Sequence, residues 1–344
     1  MKPLVSILIP AYNAEPWVGE AIRSALAQTW PHKEIIVLND GSTDRTADVA
    51  REFGSKIKFF STGNCGLSAA INRAYQLCQG DYIQELDADD ILPPDKIERQ
   101  LAVLRDGDSK RTLLSSQWAP FFYRTRHAHA IQNSLCQDLP PVEWLLRKMA
   151  ENLHMQNATW LVSRELAEAA GPWDTQLRYD QDGEYFARVL IASEGVRFVP
   201  GIGVYYRSSG KGSISVIGAS DEKRLSLLRS MKLQIQYLRS LEDSERVHKA
   251  CLIYMQTWYG AFYLERPDLA AELQDLAAQL HGHLEEPRLR LKYAWLAPVI
   301  GLRAAKRIQN ELPQFKASCM RSFDKAIYRL EAMRANGRAP ADLS

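Results

Sequence analysis

Two apolar runs, "LVSILIP" at residues 4–10 and "KEIIVLND" at 33–40, flank the segment "EPWVGEAIRSALAQ", and this trio constrains the chain more than any other stretch. The runs read as buried parallel strands. Between them Val18, Ala21, Ile22, Ala25 and Leu26 recur at helical spacing. A strand–helix–strand unit buries both faces of its sheet and turns the carboxyl ends of its strands toward a ligand crevice. The alternation then continues. A helix is expected over "STDRTADVAREFG", opened by a Ser42/Thr43 cap and closed by Gly54. After it come the strand "IKFFS", the helix "LSAAINRAYQLC" ending at Gly80, and the strand "DYIQELDADD". The expected fold class is α/β, a mostly parallel Rossmann-like sheet flanked by helices. Residues 112–218 mix short strands and helices. From Ser220 onward helical periods dominate, as at Val247, Ala250, Cys251, Tyr254 and Trp258. The expected division is an α/β domain over 1–218, with halves 1–111 and 112–218, and a helical region over 219–344.

Composition removes several classes of function. The chain has 344 residues, 46% hydrophobic and 24% charged, and a net charge of +2, so no broad basic field for nucleic acid is present. Five cysteines (65, 78, 136, 251 and 319) are odd in number and lack C-x-x-C or Cys/His spacing, which argues against a disulfide framework or a zinc site. The first residues read as a core strand and not as a secretory signal, so a cytoplasmic location is expected. Charge is nonetheless uneven. Between Arg288 and Arg338 twelve Lys and Arg meet three acids, and "LKYAWLAPVIGLRAAKRIQ" and "FDKAIYRLEAMR" add apolar stripes. Such a segment would suit peripheral contact with anionic lipid at the inner face of a membrane. The plainer reading packs the stripes on the catalytic domain, and most amphipathic helices follow it.

The chemistry concentrates in two acidic clusters. In "ELDADD" (85–90), Asp87 and Asp89 stand two apart, which in extended chain points both carboxylates to one side. Crowded carboxylates need a compensating cation, and hard oxygen donors suit Mg²⁺ or Mn²⁺. A helix cap for "PPDKIERQLAVL" would use one Asp, not three. An EF-hand is excluded, because the central Gly and terminal Glu are missing. The second cluster, "RYDQDGEYFARVL" (178–190), alternates Asp180, Asp182 and Glu184 ahead of an apolar helix. A helix dipole explains one or two of these acids.

"PAYN" (10–13), "NDGSTD" (39–44), "GLSAAIN" (66–72) and "LDADD" (86–90), in this order, resemble the inverting family 2 glycosyltransferases of GT-A fold over roughly residues 3–215. The resemblance implies a nucleotide-sugar donor, with UDP-sugars the usual choice, and an acceptor hydroxyl on a glycan or lipid-linked glycan. It implies that Pro10, Ala11, Tyr12 and Asn13 line the nucleotide pocket and that Asp40 bonds the base. It also implies that Asp87, Ala88 and Asp89 form the donor site, with Asp89 and Asp87 holding Mn²⁺ or Mg²⁺. Asp182 matches the general base of the family's Glu-Asp pair, the Glu being Gln181 here. Ile71 stands where many members carry an Arg, and Lys211 and Arg207 are the cations that would compensate for it. His154 and Trp160 stand where an acceptor site would be, although Trp160 equally suits a core. The basic loop 207–215 would fold over the donor phosphates or lie as a solvated loop; its "GKGS" lacks the spacing of a P-loop. Two rivals remain: a noncatalytic sugar-nucleotide-binding or scaffold protein, and a sugar-1-phosphate nucleotidyltransferase. The latter would want a Gly-rich basic loop after the first strand, where "PAYNAEPW" supplies none.

Overall fold

Strand β1 (Val5–Ala11) is buried along its whole length, and its side chains alternate between two cores. Ile7 and Ile9 pack with Val18 and Ile22 of helix α1 (Val18–Leu26), while Leu8 faces Ala70 and Ala74 of α3 (Leu67–Leu77). The computed structural model describes residues 2–105, 107–208, 217 and 220–336. β2 (Lys33–Asp40), β3 (Lys58–Thr62) and β4 (Tyr82–Glu85) complete a parallel set in the order β3-β2-β1-β4. β6 (Val162–Ser163) is added antiparallel at the edge. The mostly parallel α/β sheet expected from the alternation of runs is therefore present, with helices on both faces. Strand order reverses at β1, so the carboxyl ends of β1, β2 and β4 open on one crevice.

Helix α2 (Thr46–Arg51) is shorter than the sequence suggested, and Ser42 and Thr43 do not cap it. Both hydroxyls are used by Asn13: Ser42 Oγ accepts from its amide at 3.0 Å and Thr43 Oγ1 donates to its Oδ1 at 3.2 Å. Asp44 instead accepts from the Thr46 amide at 3.0 Å.

A second, two-stranded parallel sheet joins β5 (Thr112–Phe121) to β7 (Gly195–Arg207), with a register shift at Gln117. Around it lie α4 (Lys96–Ala102), α5 (Pro141–Ala150), α6 (Arg164–Ala170) and α7 (Gln181–Ala192). Helices α8 (Asp221–Leu241), α9 (Glu245–Tyr259) and α10 (Pro267–Gln279) follow. Leu227, Met231, Cys251 and Leu273 of these helices share one core with Trp160, Phe186 and Leu190, so the helical region buttresses the second half of the α/β part.

The last described elements are α11 (Leu291–Ala294) and α12 (Ala297–Asn336), the latter broken at Gly301, whose φ is 82°. Here the plainer expectation fails. What docks α12 is polar: the Arg124 Nε to Asp324 Oδ1 pair at 2.6 Å, the Arg126–Glu331 pair, and the Tyr328 ring 5.8 Å from Tyr123. The apolar stripe is left facing outward, with Phe315 68% and Phe323 69% exposed. Among the described residues no helix is long and apolar enough to cross a membrane.

Candidate active site

The acids of "ELDADD" do not lie on an extended strand as the spacing suggested. β4 stops at Glu85, and a turn closed by the Asp90 amide on the Asp87 carbonyl at 3.0 Å brings Asp87 and Asp89 together. β7 clamps that turn from the far side. Ile91 and Tyr205 exchange backbone hydrogen bonds at 3.1 and 2.8 Å, and the Arg207 amide donates to Asp90 Oδ1 at 2.7 Å. Asp90 is fully buried, and its other oxygen accepts from Gln156 Nε2 at 2.7 Å, a nitrogen that also lies 3.3 Å from Asp87 Oδ2. One amide thus serves two carboxylates, fewer donors than the acids could accept.

The titration of these acids shows the deficit. Burial first, then the neighbouring charges of Asp89 and Asp182, push Asp87 up to about 7. Burial and Asp87 push Glu85 up to about 8, with the Trp173 indole at 3.1 Å as the sole hydrogen-bond donor to its carboxyl among the described residues. Asp182 therefore acts on both from α7, more than ninety residues away in sequence. The two acidic clusters form one electrostatic unit.

On α7 the three alternating acids have different fates. Asp180, in a left-handed conformation with φ 56°, accepts from Ser230 Oγ and Gln234 Nε2, each at 2.7 Å. Glu184 is held by both ends of the Arg188 guanidinium at 2.7 and 2.9 Å, and by the Tyr237 hydroxyl at 2.9 Å. Asp182 is partly exposed, and among the described residues its carboxylate takes no hydrogen bond. Of the three, it is the acid free to meet a substrate.

Comparison with known proteins gives the part of the chain that holds the β4 turn a family. The sequence model described as "Glycosyl transferase family 2" matches residues 6–159. Residues 6–159 belong to glycosyl transferase family 2. An uncharacterised glycosyltransferase of Rickettsia typhi is 32% identical over 192 residues, 56% of this chain and 60% of its own length. Chondroitin synthase of Escherichia coli is 43% identical over 99 residues, 28% of this chain and 14% of that protein. This chain therefore spans less than two thirds of the curated relatives it matches. Among solved structures, S. aureus TarS in complex with UDP-GlcNAc aligns with a TM-score of 0.61 at 15% identity, over 80% of this chain and 81% of that one. The mannosyltransferase PcManGT from Pyrobaculum calidifontis, in complex with GDP-Man and Mn²⁺, aligns with a TM-score of 0.51 at 18% identity, over 94% and 88%. The fold is the GT-A arrangement that the sequence resemblance implied.

Within residues 6–159, the end of the crevice expected to take the nucleotide is built by loops after β1 and β2. Pro10 and Ala11 are buried in β1, and the Tyr12 ring is 52% exposed at the mouth of the crevice. Asn13, with φ 47°, accepts from the Thr43 amide at 2.8 Å and so ties the two loops together. Asp40 is already engaged: Oδ1 accepts from the Cys65 amide at 2.8 Å and its thiol at 3.0 Å, and Oδ2 from the Gly66 amide at 2.9 Å. A carboxylate offers about four lone-pair positions, so roughly one acceptor site remains for a base. Gly41 sits at φ 69°, and a Cβ there would strike the Asn64 backbone, which explains the glycine of "NDGS".

Ile71 is buried, and Arg207, one of the two suggested replacements for an Arg there, is not available to a donor. Arg207 is spent inside the protein, donating to the Asp89 carbonyl at 2.7 Å and to Glu20 at 2.5 Å, with Trp17 stacked 4.1 Å from it. Lys211 and the rest of the basic loop beyond Ser208 lie outside the described residues. A different cation lies over the loop that Asp40 holds. The Arg178 guanidinium lies against Gly66, where any Cβ would strike its Nη1, and is bonded loosely to Glu222 at 3.5 Å. No spacing pattern announces Arg178; its only signal is its place at the head of "RYDQDGE". Trp160 is core, ringed by Trp144 and Phe186. His154 is exposed and stands edge-on to Trp118 at 5.9 Å.

No three His, Cys, Asp or Glu among the described residues converge as a preformed metal cage. The donor set nevertheless fits a divalent ion of the Mg²⁺ type, which takes one or two carboxylates and completes its shell with substrate phosphates and water. Asp87 and Asp89 are hard donors whose mutual repulsion such an ion would relieve.

Proposed function

We propose that this protein is an inverting glycosyltransferase that moves a sugar from a nucleoside-diphosphate sugar to a hydroxyl of a glycan or lipid-linked glycan. The observation that carries the reading is Asp182, a carboxylate without a hydrogen-bond partner among the described residues, close enough to the Asp87 turn to raise its protonation. In this reading the donor's diphosphate lies between the Asp87/Asp89 turn and Arg178. Tyr12 covers the base, and Asp40 orders the Cys65–Gly66 loop while offering the base its remaining lone pair. Asp182 takes the proton of the acceptor hydroxyl as that oxygen attacks the anomeric carbon. The bond from that carbon to the diphosphate breaks on the opposite side, so configuration inverts and no sugar–enzyme bond forms. A Mn²⁺ or Mg²⁺ held by Asp89 and Asp87 would supply Lewis-acid stabilisation of the departing diphosphate.

UDP is the favoured nucleotide: TarS was solved with UDP-GlcNAc, and PcManGT, bound to GDP-Man, makes guanine the alternative to test. Chondroitin synthase as a relative supports a glycan acceptor. We assign donor binding to residues 1–111, acceptor binding to 112–218 and a buttressing helical region to 219–344, working in the cytoplasm. Calorimetric titration of UDP and GDP, with and without Mn²⁺, on wild type and Asp89→Ala tests the reading. Tight binding of one nucleotide that requires metal and Asp89 is expected. Absence of any nucleotide binding would leave the scaffold reading in front.

A further inference from the structure

Helix α12 is built with two opposite faces, and among the described residues one of them docks on the protein while the other is exposed. Asp324, Tyr328 and Glu331 share the inner face, where Arg124, Arg126, Tyr123 and Glu20 receive them. Ile308, Leu312, Phe315, Phe323, Leu330 and Met333 share the other, at the three- and four-residue steps of a single stripe, and all are exposed. Lys316 and Arg329 flank the stripe on its two sides. Two of the three acids in this basic segment, Asp324 and Glu331, are neutralised inward; the third, Glu311, is exposed on the Arg329 flank, and Lys292, Lys316 and Arg329 outnumber it. Just upstream, Leu291 is 94% and Trp295 67% exposed beside Lys292.

We infer that this outward face of α12, extended by Trp295, seats the protein on an anionic bilayer surface. An apolar stripe with aromatic members and basic flanks lies in the interface with its apolar side among acyl chains and its cations at headgroup phosphates. A second copy of the chain is the poorer occupant. Pairing two such stripes about a two-fold axis would bring flanks of mostly one sign together, with Glu311 the single described acid beside the stripe to answer Lys316 and Arg329. The acceptor class suits this placement, but the inference stands on α12 alone and does not depend on the transferase reading.

Flotation of the full chain with phosphatidylcholine vesicles, with and without phosphatidylglycerol, tests it. Wild type is expected to float with the anionic vesicles and at least about tenfold less with the neutral ones. The double variant Phe315→Glu/Phe323→Glu is expected to abolish flotation. Lys316→Gln/Arg329→Gln, which leaves the stripe intact, is expected to weaken it by roughly tenfold or more. Helix content by circular dichroism and nucleotide binding without vesicles report whether each variant folds; if the Phe variant does not, the charge variant carries the test. Failure of wild type to float, or undiminished flotation by folded variants, overturns the inference. So does a wild-type dimer in light scattering that the Phe variant converts to monomer, since the stripe would then be a self-interface. Flotation requires no donor, so its failure leaves the transferase reading untouched.

Discussion

The acids of the turn after β4 and the acids at the head of α7 have similar local sequences and opposite circumstances. Around α7, Asp180 and Glu184 each have dedicated partners: Ser230 and Gln234 for one, Arg188 and Tyr237 for the other. After β4, Glu85 has an indole, Asp87 a share of one side-chain amide, and Asp90 that amide and the Arg207 backbone N–H. Burial pushes all three upward, as it does Asp180, but Asp180 has a cation, Lys148, and two dedicated side-chain donors against it. Compensated acids serve the fold, because a buried charge that is paired and bonded costs little to keep. Uncompensated acids await something from outside. Asp182 stands between the two groups, on the compensated helix but without a hydrogen-bond partner of its own among the described residues, which is where a base must be to meet a substrate proton.

The sharpest break of this contrast is Asp182→Asn. An amide cannot take the proton, so kcat should fall by about 10²- to 10⁴-fold while donor affinity stays within about twofold of wild type. Steady-state kinetics with a radiolabelled donor and calorimetry on the same preparation would measure both. Equal loss of binding and turnover would assign Asp182 to donor binding instead. The next effect falls on stability. Arg188→Met leaves Glu184 buried with only Tyr237, and breaking such a pair costs about 3 kcal/mol. Thermal denaturation should show the loss without a change in metal dependence.

Glu85 gives the reverse case and a pH signature. Its protonation midpoint of about 8 in the fold exceeds its unfolded value near 4.5. Between these values the native state holds a proton that the unfolded state has released, so stability must fall as pH rises from about 5 to 8. Asp87, raised to about 7, acts in the same direction. Glu85→Gln keeps an acceptor for Trp173 and removes the titration. The metal-free variant should therefore show a shallower decline and, at pH 8, melt roughly a few degrees above wild type. Identical slopes would mean that Glu85 is already ionised and relieved by solvent.

Much of this was legible in the residues, and the limits are physical. The runs ending in Pro10 and Asp40 announce their strands because burial on both faces demands uninterrupted apolar residues. The proximity of Asp87 and Asp182 was implied only by family resemblance, since no local pattern links a turn to a helix so distant in sequence. Asp87 and Asp89 meet through a turn and not through strand alternation, because β7 reaches in at Tyr205 and Arg207 to bend the chain. Arg178 was invisible for the same reason: its position over Gly66 is set by the docking of α7 on α8. The α12 stripe was plain in the sequence, but which face would dock depended on Arg124 and Arg126, far upstream. Periodicity reports that a helix has an apolar side; it does not say that a neighbour will cover it.

The smallest effect tests how far compensation of the α7 acids extends. Ser230 Oγ lies 2.7 Å from Asp180 Oδ2 and 2.9 Å from the Asp180 carbonyl, and accepts from Gln234 at 2.8 Å. Ser230→Ala removes this hub but leaves Gln234 on the carboxylate, so about 1 kcal/mol of stability should be lost. Lys148 meets Gln234 and lies near both Asp180 and Asp182, so the remaining charges still balance locally. Turnover should then change by less than about threefold, since Asp182 itself loses no contact. A much larger fall in kcat with an intact fold would show that α8 positions the base as well as supporting the helix that carries it, and the boundary between compensated and waiting acids would move to include Asp180.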